Sequence, residues 1–401
     1  MNSDINLLIP INDVVDPIIS IVIPALNESV NIEEFISWVK IGLSELSVSG
    51  EILIVNSSTD NTAELAMRSG ARVLQVPQRG LGRAYIDSIP FIRGDFVILG
   101  DADCTYDFRD LRSFYQAYLT GAEFVMGSRY RGSIEKGAMP PHHQYFGTPI
   151  TTWILNRIFR SKFSDIHCGM RGLTLRFLRE LNLQSQSWEY ASEMVIKAIQ
   201  MRVNTIEVPV KFYKDRNGRQ SHHKREGWLS PFKAAWINLR AMFVYGVAAF
   251  LLRPGQILMG IGLVLLLMPT FGPVTFGPLV FSLYWQLLGA FAFMLGTNAF
   301  FLGLNVRTFF DYTNIHDDSN RKLFSFNRSA LSSMLFFFSG LAAIFPLIDG
   351  YLSEGFELPS GPRWQEHWAV IGLSLISFAG TLFIHTLVNQ ALKLSSMARR
   401  K

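Results

Sequence analysis

Residues 100–107 read GDADCTYD and follow directly on the apolar run at 96–99. Three carboxylates, Asp101, Asp103 and Asp107, therefore stand where a buried strand is expected to end. Side chains alternate along a strand, so Asp101 and Asp103 are expected on one side with Ala102 turned away. Two like charges that close repel unless a cation lies between them. Hard dications such as Mg2+ or Mn2+ take one or two carboxylates and complete their shell with phosphate oxygens and water. The pair thus points to metal-assisted departure of a diphosphate, and so to a nucleotide-activated substrate. Asp107 reads as the N-cap of a helix over 108–119.

The elements that must position this pair alternate. Strands are expected at 18–23, 51–55, 72–76 and 96–99, separated by helices at 30–46, 60–69 and 82–89. Further strands are expected at 123–126, 171–175 and 205–212, with a helix at 188–201. This order predicts an α/β domain with a mostly parallel sheet and crossover helices, whose ligands bind past the carboxyl ends of the strands. Those ends carry Pro24-Ala25-Leu26-Asn27-Glu28, Asn56 to Asp60, the Gly-rich turn 77–82 ending at Gly82, and Asp101-Ala102-Asp103. Gly80-Leu81-Gly82 lacks the third glycine of a dinucleotide fingerprint and follows the third strand rather than the first. No GxxxxGK[ST] occurs, so a dehydrogenase and a P-loop enzyme are both disfavoured.

Beyond residue 250 the composition changes. Pro254 to Val306 is a run of 53 residues without Asp, Glu, Lys or Arg, and two more uncharged runs follow at 329–348 and 367–392. Four transmembrane helices are expected, at about 255–270, 281–305, 329–348 and 367–390, with PTFGPVTFGP (269–278) as the turn between the first two. The N-terminus has acids, a proline and no basic stretch, so no signal peptide is expected. Residues 206–253 hold nine Lys/Arg against three acids, whereas 349–366 holds one against four. The positive-inside rule then places both termini, the catalytic half and the 307–328 loop in the cytoplasm. The net charge of +5 is concentrated beside the membrane segments and suits anionic headgroups rather than nucleic acid. Cys104 and Cys168 form no CxxC pair, and a disulfide framework is not expected.

The segment YKDRNGRQSHHKREGW (213–228) is rich in cations, and Phe232, Ala235, Trp236, Leu239 and Phe243 then recur at helical spacing. That pattern predicts interfacial amphipathic helices over 229–252 and places Arg216, Arg219, Ser221 and Lys224 where an acceptor phosphate would lie at headgroup depth. A phosphate monoester, unlike a sugar hydroxyl, needs no general base near neutrality, because its second pKa is about 6. Glu193 is a candidate residual base or acceptor-site carboxylate, with a structural role on its helix as the alternative.

Taken together, Pro24 to Glu28, Ser58-x-Asp60, Asp101-x-Asp103, Gly127-Ser128-Arg129-Tyr130 and Asp165-x-x-x-Gly169-x-Arg171 resemble a family 2 glycosyltransferase. Within that family the chain is most similar to the polyprenyl-phosphate group that includes dolichyl-phosphate mannose and glucose synthases. The resemblance covers roughly 17–250 and implies a GT-A fold for residues 17–228, after a tail at 1–16 and ahead of a membrane domain at 253–401. It implies that Pro24, Ala25, Asn27, Glu28 and Asp60 line the nucleotide pocket and that Asp101 and Asp103 hold the diphosphate through Mg2+ or Mn2+. It also implies that Arg129 and Arg171 face phosphate, with Arg129 and Asp103 in catalytic roles; guanidinium forks suit phosphate oxygens.

The chain departs from the family pattern at Val55, where the first carboxylate of D-[DN]-x-S-x-D usually stands, and at Thr105, where a further metal ligand often stands. The implied activity is inverting transfer of a hexose from a nucleotide sugar to a dolichyl or undecaprenyl phosphate, by a multi-pass protein of the plasma or endoplasmic reticulum membrane. UDP-glucose is the first donor expected and GDP-mannose the alternative. A polysaccharide-type transferase and a non-catalytic lipid transporter are the other readings, and homo-oligomerisation is left open. The polysaccharide reading is disfavoured because no Q-x-x-R-W occurs in the polar half.

Overall fold

A computed structural model describes residues 4–215, 245–309, 325–356 and 364–398, with a few positions between 236 and 243. The chain divides into two compact units, residues 1–246 and 247–401.

The first unit is built on one eight-stranded sheet. Its strands are β1 (Asn6–Leu8), β2 (Ile19–Ala25), β3 (Gly50–Asn56), β4 (Arg72–Gln75), β5 (Phe96–Leu99), β6 (Phe124–Ile134), β7 (Arg171–Thr174) and β8 (Thr205–Phe212). The spatial order is β1-β4-β3-β2-β5-β7-β6-β8. The run β4-β3-β2-β5 is parallel, β7 lies antiparallel between β5 and β6, and β8 is parallel to β6. The sheet is therefore mostly parallel, as expected. Both faces of the sheet are covered, which is why its strands read as unbroken apolar runs. Ile21, Ile23, Ile52, Ile54 and Ile98 face one core, and Val22, Leu53, Val55, Val97 and Leu99 face the other.

The first core is closed by α1 (Ile32–Leu46) and α4 (Arg112–Leu119), the second by α3 (Leu81–Ser88) and α7 (Tyr190–Met201). In α1 the buried Ile32, Phe35, Ile36, Val39 and Leu43 follow the helical period, and Glu33 and Glu34 in its first turn suit the dipole. Among the described residues this unit also has the helices α2 (Thr62–Arg68), α5 (Thr148–Phe159) and α6 (Leu175–Glu180).

Several expectations are corrected. The helix after Asp107 begins only at Arg112, and Leu111 occupies its N-cap. The Asp107 carboxylate instead accepts from the Arg109 backbone and guanidinium and from Tyr213 Oη at 2.8 Å. The edge strand β1 and the helices α5 and α6 were not expected, and β6 runs eight residues beyond the expected 126.

The second unit contains α8 (Val247–Leu267), α9 (Leu283–Phe309), α10 (Phe326–Ser353) and α11 (Trp364–Ala398), four helices long and apolar enough to cross a membrane. The first starts before the expected 255 and runs through Pro254, as apolar helices tolerate. The PTFGPVTFGP turn forms a two-stranded hairpin, β9 (Val274–Phe276) and β10 (Leu279–Phe281). The acceptor-phosphate candidates Arg216, Arg219, Ser221 and Lys224, and most of 229–252, lie outside the described residues.

Candidate active site

The carboxyl ends of β2, β3, β4 and β5 point the same way, so their loops share one rim. Ser57 N donates to Ala25 O at 3.0 Å, and Asn27 N donates to Ser58 Oγ at 2.8 Å. Asn27 Oδ1 accepts from Thr59 N at 3.0 Å, and the Asn27 backbone is left-handed (φ 56°), a conformation that Asn tolerates. Glu28 N donates to Thr62 Oγ1 at 3.0 Å. Asp60 accepts from the backbone and hydroxyl of Thr62 and from Ser29 N. Burial would raise the Asp60 pKa, but these hydrogen bonds together take it below its ordinary value. The rim residues Pro24, Ala25, Asn27, Glu28 and Asp60 are thus brought together. Beside them the buried Asn56 Oδ1 makes no hydrogen bond among the described residues.

Asp101 and Asp103 lie just past β5, in a turn rather than in the strand. The turn is set by the buried Ala102 and by Cys104, whose φ is 59°. Asp103 Oδ1 accepts from both Thr105 N (3.0 Å) and Thr105 Oγ1 (2.5 Å), so Thr105 positions the carboxylate. Asp101 lies against Gly169: a Cβ there would stand 2.7 Å from Asp101 Oδ2 and 3.1 Å from the Tyr106 ring. Tyr106 Oη accepts from Gly169 N at 2.8 Å, and Tyr85 Oη donates to Gly100 O at 2.9 Å. Burial pushes the phenols of Tyr85, Tyr106 and Tyr190 up, Tyr190 to about 12, and the charge of Asp101 adds to each.

This ring of tyrosines was not anticipated, although Tyr106 stands inside the opening motif. Two oxygen-donor carboxylates one residue apart, without nitrogen or sulfur donors, suit a hard dication. Among the described residues no group of three or more His, Cys, Asp or Glu could hold a metal ion, so such an ion would complete its shell from substrate and water.

Three expected participants are committed elsewhere. The Arg129 guanidinium forks onto the buried Asp165 through Nε (2.7 Å) and Nη2 (2.8 Å), and lies over the Phe212 ring. Arg171, 1% exposed, donates to the carbonyls of Cys168, Ala191 and Ile166 at 3.0, 2.7 and 3.1 Å. Neither guanidinium faces an open phosphate site; each stitches the 165–171 loop to the sheet. Glu193 is fully buried, accepts from Gln184 N and Ser185 N, and pairs with Lys197 at 2.5 Å. It pins the 184–187 loop and is not placed as a base.

Gly82 has a related packing role, since a Cβ there would meet Ser185 O at 2.2 Å. The flanking Arg79 and Arg83, half-exposed beside the rim, converge on Asp87 at 3.1 and 2.8 Å. The signal for that cluster was the paired arginines of RGLGR with Asp87 one turn on.

Residues 20–181 match the sequence profile of glycosyl transferase family 2. This match is consistent with a family 2 glycosyltransferase domain over those residues. The low-salt glycan biosynthesis hexosyltransferase Agl6 of Haloferax volcanii is 35% identical over 265 residues, which make up 65% of this chain and 62% of that protein. The chain therefore spans less than two thirds of the length of that relative. The glycosyltransferase AglJ of the same organism is 26% identical over 58% of this chain and 76% of its own. Among solved structures, glucosyl-3-phosphoglycerate synthase from Mycobacterium tuberculosis aligns with a TM-score of 0.43 and 21% identity, over 57% of this chain and 80% of its own. The Asp101–Asp103 turn and the Asn27–Asp60 rim fall within the matched 20–181 region.

Proposed function

We propose that the protein transfers a hexose from a nucleotide sugar to a polyprenyl phosphate at the cytoplasmic face of a membrane, with inversion. The observation that carries this reading is the Asp101–Asp103 turn, held by Thr105 and Gly169 beside the Asn27–Asp60 rim, in a chain that also has four helices apolar enough to span a bilayer. The hexosyltransferase relative supports the sugar class, and UDP-glucose is the donor proposed ahead of GDP-mannose.

In this account Asp101 and Asp103 would hold Mg2+ or Mn2+, and such an ion would supply positive charge for the departing diphosphate. Pro24 to Glu28, Asp60 and the unpartnered Asn56 Oδ1 form the nucleotide pocket, and Arg79 and Arg83 add positive charge at its edge. An acceptor phosphate oxygen attacks the anomeric carbon, a C–O bond forms on one face, and the bond to the nucleoside diphosphate breaks on the other. Because the phosphate is already largely dianionic, no side-chain base is required, and the burial of Glu193 is no obstacle. Arg216, Arg219, Ser221 and Lys224 are proposed to receive that phosphate. Residues 17–228 form the catalytic domain, and the four helices anchor it with both termini in the cytoplasm.

The test is a screen of radiolabelled UDP and GDP sugars with proteoliposomes carrying polyprenyl phosphate. Label should move into the organic extract with one donor. If donor were consumed with all label left in the aqueous phase, the lipid acceptor would be excluded.

A further inference from the structure

The helix α5 has an inner and an outer face of different character. Its inner face buries Thr148, Thr152 and Leu155, and Thr151 Oγ1 hydrogen-bonds His167 Nε2 at 2.8 Å. The outer face, extended back through the preceding turn, carries Phe146, Ile150 and Trp153, which are 65%, 52% and 66% exposed, and then the exposed Arg157. These positions are four, three and four apart, so they form one stripe along the helix. Tyr145 beside it is 66% exposed. Single exposed apolar residues are ordinary, but an aromatic row of this length on a folded domain marks a contact surface.

The charge around the row identifies the partner. Residues 136–164 contain no Asp or Glu, and Lys136, Arg157, Arg160 and Lys162 are all exposed. Trp, Tyr and Phe bordered by Lys and Arg are the composition that partitions into the headgroup layer of an anionic bilayer.

We propose that the outer face of α5 is a docking surface for an anionic lipid bilayer. The inference rests on the reading that the chain is membrane-anchored, but not on its catalysing transfer. Its consequence for the site follows from the contacts of α5. His167, held by Thr151, lies two residues before Gly169, which abuts Asp101. Tyr130 Oη, at the end of the GSRY motif, donates to Gln144 O at 2.6 Å just ahead of the helix. Docking α5 in the headgroup layer would hold the Asp101–Asp103 turn at a fixed depth relative to lipid phosphates.

The experiment uses the full chain in liposomes containing phosphatidylglycerol, with an NBD label on Trp153→Cys, Ile150→Cys or, as a control at the opposite end of the sheet, Ile11→Cys. The native Cys104 and Cys168 are both buried. Labels at 150 and 153 should be quenched by spin-labelled lipid, as expected about 5–10 Å into the headgroup boundary, and shielded from iodide. The label at 11 should behave in the opposite way. Adding Arg157→Glu and Lys162→Glu should reduce the lipid quenching at 153. Iodide quenching at 153 would overturn the proposal, because the face would then be in water. Shielding from both quenchers would also overturn it, because protein would cover the face. Unchanged lipid quenching in the charge-reversed variant would overturn the choice of an anionic surface. None of these readouts needs a donor sugar, so docking and transfer can fail independently.

Discussion

The two ends of the central sheet use the same residue types to opposite purposes. At the amino ends, Glu51 accepts from Ser20 Oγ (2.6 Å), Arg72 Nη1 (2.6 Å), Arg93 N (2.9 Å) and Arg93 Nε (2.8 Å), and Arg93 forks onward to Asp13. At the carboxyl ends, Asp103 is held by the backbone and hydroxyl of Thr105, and Asp101 lies against Gly169, whose amide donates to Tyr106 Oη. The first arrangement neutralises carboxylates with guanidinium groups and locks strands together. In the second, a backbone amide and a hydroxyl orient Asp103, and the missing side chain of Gly169 leaves room for Asp101. A carboxylate at a strand end is therefore not informative by itself; its partners decide whether it is a joint or a ligand.

The largest expected effect separates the two ends by readout. Asp103→Asn should lower transfer about a thousandfold or more, in line with the several kcal/mol supplied by a Lewis acid, while the melting temperature stays within error of the parent. Glu51→Ala should do the reverse. It takes from the buried Arg72 its carboxylate partner, while Arg93 keeps Asp13, and should cost about 3–5 kcal/mol of stability, measured by denaturant unfolding, with activity per folded molecule preserved.

Gly169→Ala tests whether packing sets the position of Asp101. The added methyl must displace the carboxylate or the Tyr106 ring, and transfer should fall about 10- to 100-fold in kinetics at saturating donor.

The smallest effect is in the pH dependence. Burial pushes His167 down to about 4, so between pH 6.5 and 4 the unfolded chain takes up a proton that the folded chain does not. Stability should fall as pH drops through that window, by about 1–2 kcal/mol once partial exposure is allowed for, and His167→Gln should flatten the slope of melting temperature against pH. Asp13 at the amino end behaves differently. Its hydrogen bond from Arg93 lowers its pKa, so its contribution persists down to its ordinary 3.8 and is lost only below that.

What could be read in advance follows the same division. The β-branched runs at 19–25, 50–56 and 96–99 carry their own strand signal, and the carboxyl-end residues follow from chain order. Partners in space carry no such signal. Arg129 and Arg171 look like available charge in the sequence, yet one meets Asp165 across 36 positions and the other meets three carbonyls of the loop before it and of α7. Glu193 was the more readable case, since its partner Lys197 is one helical turn on. The helix α5 was missed for a different reason. Its apolar residues occupy both faces, so the stretch PITTWILNRIF lacks the single buried stripe by which the other helices are recognised. The turn at 101–104 depends on Cys104 adopting a left-handed backbone, which its residue type does not announce.

The central claim is that Asp101 and Asp103 together hold a divalent ion required for transfer. The most direct measurement is turnover of the full-length protein in proteoliposomes, first in EDTA and then on titration with Mg2+ or Mn2+, for the parent and for Asp103→Asn. The account predicts no transfer in EDTA, recovery in the parent on adding either ion, and no recovery in Asp103→Asn at the same concentrations. Undiminished turnover in EDTA, or full metal rescue of Asp103→Asn, would contradict it.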